Sequence, residues 1–263
     1  MQETEYLEQS RVIYFFLYKI KLISIITIEL IHMENLYLKS EKELQNYIDE
    51  HKSNYLGFGR EGNCILLDNG YVLKKLYGEY NPKFALQFKD VENDSFIFAK
   101  NGIFINQYIS ALFMKYVKGL TLSDKIPKDQ SFIQLGLQLQ KLVDDIIKLS
   151  EMGIQVKDFH TGNIIYDGNK FIIIDTLGYL YLSGSYKTEN LREVMHKVFY
   201  YILIDILRYR EIPNSLVYYG KLNILENPNE YLLNLKKYIE NIAEQEVNTV
   251  EDAIKVLKKK YDK

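Results

Sequence analysis

Residues 156–163 read Val156-Lys157-Asp158-Phe159-His160-Thr161-Gly162-Asn163, and residues 172–175 read Ile172-Ile173-Ile174-Asp175. Asp158 and Asn163 are five residues apart on a predicted loop, and Asp175 follows twelve residues later at the end of a predicted strand. An aspartate beside a hydroxyl can take its proton, and oxygen ligands suit a hard cation such as Mg²⁺. Turn formation alone explains Asp167-Gly168 as a hairpin, but it does not explain why Asp175 closes an apolar run.

A second motif lies upstream, where Gly57-Phe58-Gly59-Arg60-Glu61-Gly62 forms a G-x-G-x-x-G run. Gly57, Gly59 and Gly62 would let backbone amides approach phosphate groups without a Cβ in the way. Such a run can also bind a dinucleotide at the start of a helix, or form a plain turn. Here a strand-like segment follows, and Asn69-Gly70 predicts a hairpin between strands 63–67 and 71–76. This context favours a glycine-rich loop lying over ATP.

Lys74 is the predicted phosphate ligand. Strand side chains alternate between faces, so Val72 and Lys74 point the same way and would offer an apolar contact for adenine and an ammonium for phosphate. Such a lysine usually pairs with a glutamate on a helix. Glu92 is the predicted partner, and the alternatives are Glu79 and Asp94.

The hydrophobic pattern predicts a β-rich first part and a helical second part. Strands are expected at 55–58, 63–67, 71–76, 103–109 and 111–117, with helices at 36–51 and 84–98. Ser40, with Glu43 three residues later, predicts an N-terminal capping box for the first of these helices. Apolar residues at helical spacing predict long helices over 132–149 and 191–206, the former closed by Gly153. Thr249 and Asp252 predict the cap of a last helix.

Together these motifs resemble the protein-kinase-like superfamily over about residues 54–210. The resemblance implies an α+β, two-lobed protein-kinase-like fold: a small lobe of five antiparallel strands and one main helix over 36–117, and a mainly helical lobe over 118–263. It implies that Asp158 is the catalytic aspartate and that Asn163 and Asp175 bind Mg²⁺. By the same analogy, Met114 is the gatekeeper beside ATP, and Lys115 to Val117 present backbone groups to adenine.

Departures from the family pattern bear on the substrate. Val156-Lys157 replaces the usual His-Arg, Thr176-Leu177-Gly178 replaces Phe-Gly, and His160 stands where protein kinases usually have lysine. Asp-x-His-x-Gly-Asn is similar to the pattern of aminoglycoside and other small-molecule kinases, and the segment after Asp175 is short. The resemblance therefore implies an ATP- and Mg²⁺-dependent kinase, with a serine/threonine-type protein kinase favoured by the glycine loop. A kinase acting on a small-molecule hydroxyl acceptor and an ATP-binding pseudokinase remain alternatives.

Composition excludes some partners and bounds the compartment. The 263 residues are 47% hydrophobic and carry a net charge of −2, so no basic field favours nucleic acid. The single cysteine, Cys64, cannot form an internal disulfide, which favours a reducing, cytoplasmic setting. Within the 1–35 extension, the apolar stretch 12–31 is interrupted by Lys19 and Lys21, which disfavours a membrane anchor. A segment lying on the protein body, or a start at Met33, stays open.

Overall fold

The computed structural model describes residues 34–124 and 127–262. The chain divides into two compact units, Met1–Leu36 and Tyr37–Lys263. Nearly all of the first unit lies outside the described residues, and so do the predictions made for residues 12–31. Across the described ranges, the longest helices are too short or too polar to cross a membrane.

The first half of the described chain is a six-stranded sheet. Its strands are β1 (Leu36–Leu38), β2 (Lys52–Phe58), β3 (Gly62–Leu67), β4 (Tyr71–Tyr80), β5 (Asn101–Ile105) and β6 (Tyr108–Lys115). They lie in the order β1-β5-β6-β4-β3-β2. The hairpin between β3 and β4 is antiparallel as predicted, and Gly70 adopts a φ of 81° in its turn. Lys74 lies near the middle of β4, flanked by β3 and β6.

Two details of this sheet differ from the prediction. A sixth strand, β1, occupies residues that were expected to begin a helix; helix α1 instead spans Glu41–His51. Ser40 caps α1 by accepting from the Glu43 amide, while the Glu43 carboxylate accepts from the amide of Lys39 rather than of Ser40. The strand predicted over 103–109 is also interrupted, because Asn106 turns the chain at a φ of 57°.

The predicted main helix over 84–98 is wrong. Only α2 (Pro82–Ala85) is helical, and it is followed by turns. Residues beyond it are irregular, with bends at Asp94 and Ser95. Phe96 forms a parallel bridge with Ile173, and Ser95 donates to the carboxylate of Asp145 at 2.8 Å. These long-range contacts hold the segment against the second half of the chain.

The second half is mainly helical. Its elements are β7 (Leu120–Thr121), α3 (Phe132–Glu151), β8 (Ile154–Gln155), β9 (Ile164–Tyr166), β10 (Phe171–Ile173), β11 (Leu180–Tyr181), α4 (Lys187–Leu207), α5 (Asn214–Val217), α6 (Leu222–Glu226), α7 (Pro228–Ala243) and α8 (Val250–Tyr261). The predicted apolar stripes of α3 and α4 are buried and form the main core. Gly153 follows α3 with a φ of 76°, and Thr249 and Asp252 form a capping box at α8. The protein is therefore of the α+β class.

Candidate active site

Lys74 is a buried lysine in the middle of the six-stranded sheet. It is 3% exposed, and its Cα lies opposite Cys64 on β3 and Leu112 on β6. Val72, two residues earlier, is also buried, and so is the intervening Leu73. A buried ammonium is stable only with a counter-charge, so its partners define the site.

Two carboxylates meet the Lys74 ammonium. Glu61 Oε2 lies 2.6 Å from Lys74 Nζ, and Asp175 Oδ1 accepts a short hydrogen bond from the same nitrogen. Burial by itself lowers the pKa of Lys74, but Asp175 and Glu61 outweigh it and the net pKa is raised. Lys74 is therefore a fixed cation between two acidic groups.

The predicted partner of Lys74, Glu92, is wrong. Glu92 Oε1 lies 2.7 Å from Lys100 Nζ, and the Glu92 side chain is 88% exposed. The helix that would have carried it toward Lys74 does not form, because Ser95 bonds to Asp145 and Phe96 bridges to Ile173 in the second half. Glu61, from the glycine-rich run, takes the place that was expected for Glu92.

Helix α4 makes hydrogen bonds to the backbone of the loop that carries Asp158. Asn190, fully buried on α4, accepts from the Val156 amide at 2.8 Å and donates to the Ile154 carbonyl at 2.8 Å. Lys197, also on α4, donates to the carbonyl of Phe159 at 2.6 Å. These bonds fix the backbone on both sides of Asp158, which is an exposed residue.

Asp158, Asn163 and Asp175 are brought together by the backbone. The Asn163 carbonyl accepts from the Ile174 amide at 2.8 Å, which sets Asn163 beside the residue before Asp175. A Cβ at Gly178 would lie 3.5 Å from Oδ2 of Asp158, so the Asp158 carboxylate lies against the segment that follows Asp175. Asp158 and Asn163 of one motif therefore lie close to the segment that carries Asp175, the partner of Lys74.

Asp158 and Asp175 both have a left-handed backbone. Their φ values are 51° and 61°, and only two other non-glycine residues in the described chain have positive φ. This conformation costs a residue with a Cβ roughly 1–2 kcal/mol. Backbone strain of this kind concentrates at functional sites, where it fixes the direction of a side chain.

The glycine run forms the turn between β2 and β3. Gly57 has a φ of 154°, and a Cβ at Gly62 would lie 2.1 Å from the carbonyl oxygen of Lys75. Gly59, in contrast, faces open space, and Phe58 beside it is 80% exposed. Gly57 and Gly62 thus have local reasons to be glycine, whereas Gly59 has room for a ligand to approach its backbone.

A narrow pocket opens beside Lys74 and Asp175. Its other lining residues are Phe84, Ala85, Phe88, Phe98, Ala99, Leu112, Met114, Thr176 and Leu177. Met114, the predicted gatekeeper, therefore lies next to the Lys74 end of the site. Lys115 directly follows Met114 and is exposed, and Val117, two residues further on, is half-buried.

Several other predicted groups have a definite environment. His160 is exposed and precedes the short 3₁₀ turn Thr161–Asn163. Burial raises the pKa of the Cys64 thiol, and nearby Lys74 offsets this only in part, so the thiol stays protonated at neutral pH.

Asn163 and Asp175 are the residues suited to a metal ion. In the described ranges, His, Cys, Asp and Glu side chains form no group of three that could hold a metal without other ligands. Mg²⁺ does not require such a group, because it is commonly bound by one or two carboxylates together with substrate phosphates. The oxygen donors present therefore fit Mg²⁺ in company with a nucleotide.

The sequence patterns did not predict three residues of this site: Glu61, Asn190 and Lys197. Glu61 lies inside the glycine run, which was interpreted only through its glycines. Asn190 is a polar residue directly before the buried stripe of α4, and its position gave no hint of its partners. Their roles depend on contacts across 13 to 38 residues, which a local pattern does not contain.

Comparison with known proteins adds no family assignment. No protein-family model matches this chain, and no curated protein sequence matches it either. The resemblance to kinases therefore depends on the motifs and on the contacts between them.

Proposed function

We propose that this protein is an ATP- and Mg²⁺-dependent phosphotransferase that moves the γ-phosphoryl group of ATP to a hydroxyl group. The proposal includes the two-lobed kinase fold, with residues 36–117 as the nucleotide-binding lobe and 118–263 as the catalytic lobe. One observation carries it: Lys74 and Asp175, predicted from separate motifs to act at the phosphates, are ion-paired although they are 101 residues apart.

The roles of the residues follow from their chemistry. Lys74 offers positive charge to the phosphates, and the open space at Gly59 lets a phosphate approach the glycine run closely. Asn163 and Asp175 would hold Mg²⁺, which supplies charge neutralisation at the phosphates. Asp158 is exposed, and its carboxylate would accept a hydrogen bond from the incoming hydroxyl.

The transfer itself forms one bond and breaks one. The acceptor oxygen attacks the γ-phosphorus, and the bond from that phosphorus to the β,γ-bridging oxygen breaks. Its electron pair leaves with ADP, while the hydroxyl proton passes to the carboxylate of Asp158. Most of the rate enhancement in such a reaction comes from positioning and charge stabilisation. The Lys74 ammonium would stabilise charge, and the hydrogen-bonded loop would position Asp158.

The acceptor is most consistent with a protein serine or threonine, since the glycine run has the protein-kinase form. A small-molecule acceptor is the second candidate, and a specific observation favours it. Only residues 176–186 separate Asp175 from helix α4, and part of this segment is tied down by pairing of β11 with β8. Because the segment 176–186 is short and partly fixed by this strand pairing, it leaves little surface on which an extended peptide could dock.

The proposal is tested with two aspartate variants, Asp158→Asn and Asp175→Asn. Asp158→Asn is expected to lower turnover by roughly 10² to 10⁴ while leaving the affinity for Mg-ATP nearly unchanged. Asp175→Asn is expected to weaken both turnover and the effect of Mg²⁺ on ATP binding. Calorimetric titration of ATP with and without Mg²⁺, on both variants, separates the roles.

Acceptor choice is tested on the unaltered protein. Incubation with ATP and Mg²⁺, with generic protein and aminoglycoside acceptors, is followed by mapping of added phosphate by mass spectrometry. Labelled serine or threonine supports a protein kinase, and transfer only to the small molecule supports the second candidate. ATP binding without transfer to any acceptor supports a pseudokinase, and full activity in both aspartate variants would refute the mechanism.

A further inference from the structure

The ion pair between Glu61 and Lys74 places a residue of the glycine run at the centre of the site. The two charged atoms are 2.6 Å apart, and the Lys74 side chain is 4% exposed while that of Glu61 is 31% exposed. Glu61 can therefore be reached by solvent on one side while its carboxylate holds a buried cation on the other.

The backbone of Glu61 is fixed by the sheet. Its carbonyl accepts from the Tyr77 amide at 2.9 Å, and the next residue, Gly62, packs directly against the Lys75 carbonyl. The Gly59 amide donates to the Gly62 carbonyl at 2.9 Å and closes the turn above it. Arg60 and Glu61 are thus the central residues of this turn, and Phe58 pairs with Asn63 in the strands below it. The bond from Tyr77 holds the Glu61 backbone, so its side chain reaches Lys74 from a fixed position.

Helix α2 supplies no carboxylate to Lys74. Helix α2 has only four residues, and Phe84, Ala85 and Phe88 line the pocket there with apolar surface. Within the described chain, the only carboxylates ion-paired with Lys74 are those of Glu61 and Asp175. If Asp175 turns to a metal ion when nucleotide binds, Glu61 is the one counter-ion left.

We infer that Glu61 is the positioning residue that holds Lys74 for the nucleotide phosphates, in the place of a helix glutamate. This inference rests on the proposed function. A buried ammonium that loses its partners is strongly destabilised, so a counter-ion that never serves the metal keeps Lys74 in place through the reaction. Glu61 also couples the glycine run to Lys74, because its side chain belongs to the run and holds the Lys74 ammonium.

A double-mutant cycle tests whether Glu61 acts through Lys74. The variants are Glu61→Gln, Lys74→Met and the combination of both, with the affinity for Mg-ATP measured by calorimetry and kcat and KM measured where turnover is detectable. Glu61→Gln alone is expected to lower kcat/KM and ATP affinity about 10- to 100-fold, as loss of an orienting partner typically does. In the Lys74→Met background the same change is expected to have almost no further effect.

Two single variants serve as references. Glu41→Gln removes an exposed carboxylate whose Oε2 lies 3.6 Å from Nζ of Lys75, the neighbour of Lys74 on the same strand. This change is expected to leave the affinity for Mg-ATP unchanged. Glu92→Gln tests the partner that the sequence predicted, and is likewise expected to have little effect since Glu92 pairs with Lys100.

The possible results separate the inference from the proposed function. If the wild-type protein binds ATP and the Glu61→Gln variant binds it equally well, the inference alone is overturned. The same holds if the losses in ATP affinity of Glu61→Gln and Lys74→Met simply add in the double variant. Tighter binding or faster turnover in Glu61→Gln would also overturn it, since Glu61 would then obstruct the nucleotide. Wild-type protein that neither binds nor consumes ATP would overturn the proposed function and this inference with it.

Discussion

Asn190→Ala should destabilise the protein far more than a typical asparagine substitution. Asn190 is fully buried and makes three hydrogen bonds: it accepts from the Val156 amide at 2.8 Å, and it donates to the Ile154 carbonyl at 2.8 Å and to Ser150 Oγ at 2.9 Å. Alanine can make none of them. The change therefore leaves polar groups without partners in the interior.

The magnitude follows from those partners. A buried donor or acceptor left unsatisfied costs roughly 1–3 kcal/mol, and the Val156 amide loses its acceptor outright. The Ile154 carbonyl loses one bond, while Ser150 Oγ still donates to the Ile146 carbonyl at 2.7 Å and loses least. The sum is about 2–4 kcal/mol. Since domains of this kind are stable by roughly 5–15 kcal/mol, the variant should still fold.

Equilibrium unfolding in urea measures this loss as a change in the free energy of unfolding at an unchanged m-value. Asn234→Ala is the matched control, because Asn234 is exposed on helix α7 and its removal should change stability by less than about 0.5 kcal/mol. A loss below about 1 kcal/mol for Asn190→Ala, at the same m-value, would refute the reasoning. Under the proposed function, the loosened loop should also lower turnover more than ATP affinity, because Asn190 holds the backbone before Asp158.

Other predictions concern a helix cap and the glycine run. Thr249→Ala should cost about 1 kcal/mol in urea unfolding, because Thr249 Oγ1 accepts from the Asp252 amide at 3.0 Å; no loss would mean that the cap contributes nothing. The hydrogen bond with Thr249 is the main reason why the pKa of Asp252 is lowered, so the stability lost in Asp252→Asn should be full above about pH 3.9 and fade as pH falls further; a pH-independent difference would contradict this. Gly62→Ala should lower the melting temperature, because its Cβ would lie 2.1 Å from the Lys75 carbonyl oxygen, whereas Gly59→Ala should be nearly neutral for stability; the reverse order would contradict the described turn.

Elements with strong local signals were predictable from the sequence. The Asn69-Gly70 turn, the helix closed by Gly153 and the cap at Thr249 each depend on a few neighbouring residues, and each is found as predicted. Their energies come from backbone conformation and near-neighbour hydrogen bonds. A sequence window contains all the groups involved.

Elements decided by distant partners were not predictable. Residues 84–98 have a helical pattern, but Ser95 bonds to Asp145 and Phe96 bridges to Ile173, and these tertiary contacts outweigh helix propensity. Strand β1 (Leu36–Leu38) is too short to show a pattern and exists because it pairs at the edge of a sheet. The error over Glu92 followed from the first of these, since a residue predicted on a helix was expected to face Lys74.

The left-handed backbone at Asp158 has a consequence for how the chain can change over generations. Glycine takes this conformation without a Cβ penalty, so Asp158→Gly would relieve up to roughly 1–2 kcal/mol while costing about 0.5–1 kcal/mol in chain entropy. Because Asp158 is exposed, the net effect on folding is expected to be small, although the carboxylate is gone. Asp175→Gly differs, because it would remove a counter-ion of the buried Lys74. A copy of this protein that has lost the Asp158 carboxylate could therefore accumulate as well as an active one. Selection for abundance alone would preserve Asp175 but not Asp158, and only selection on what Asp158 does can keep it.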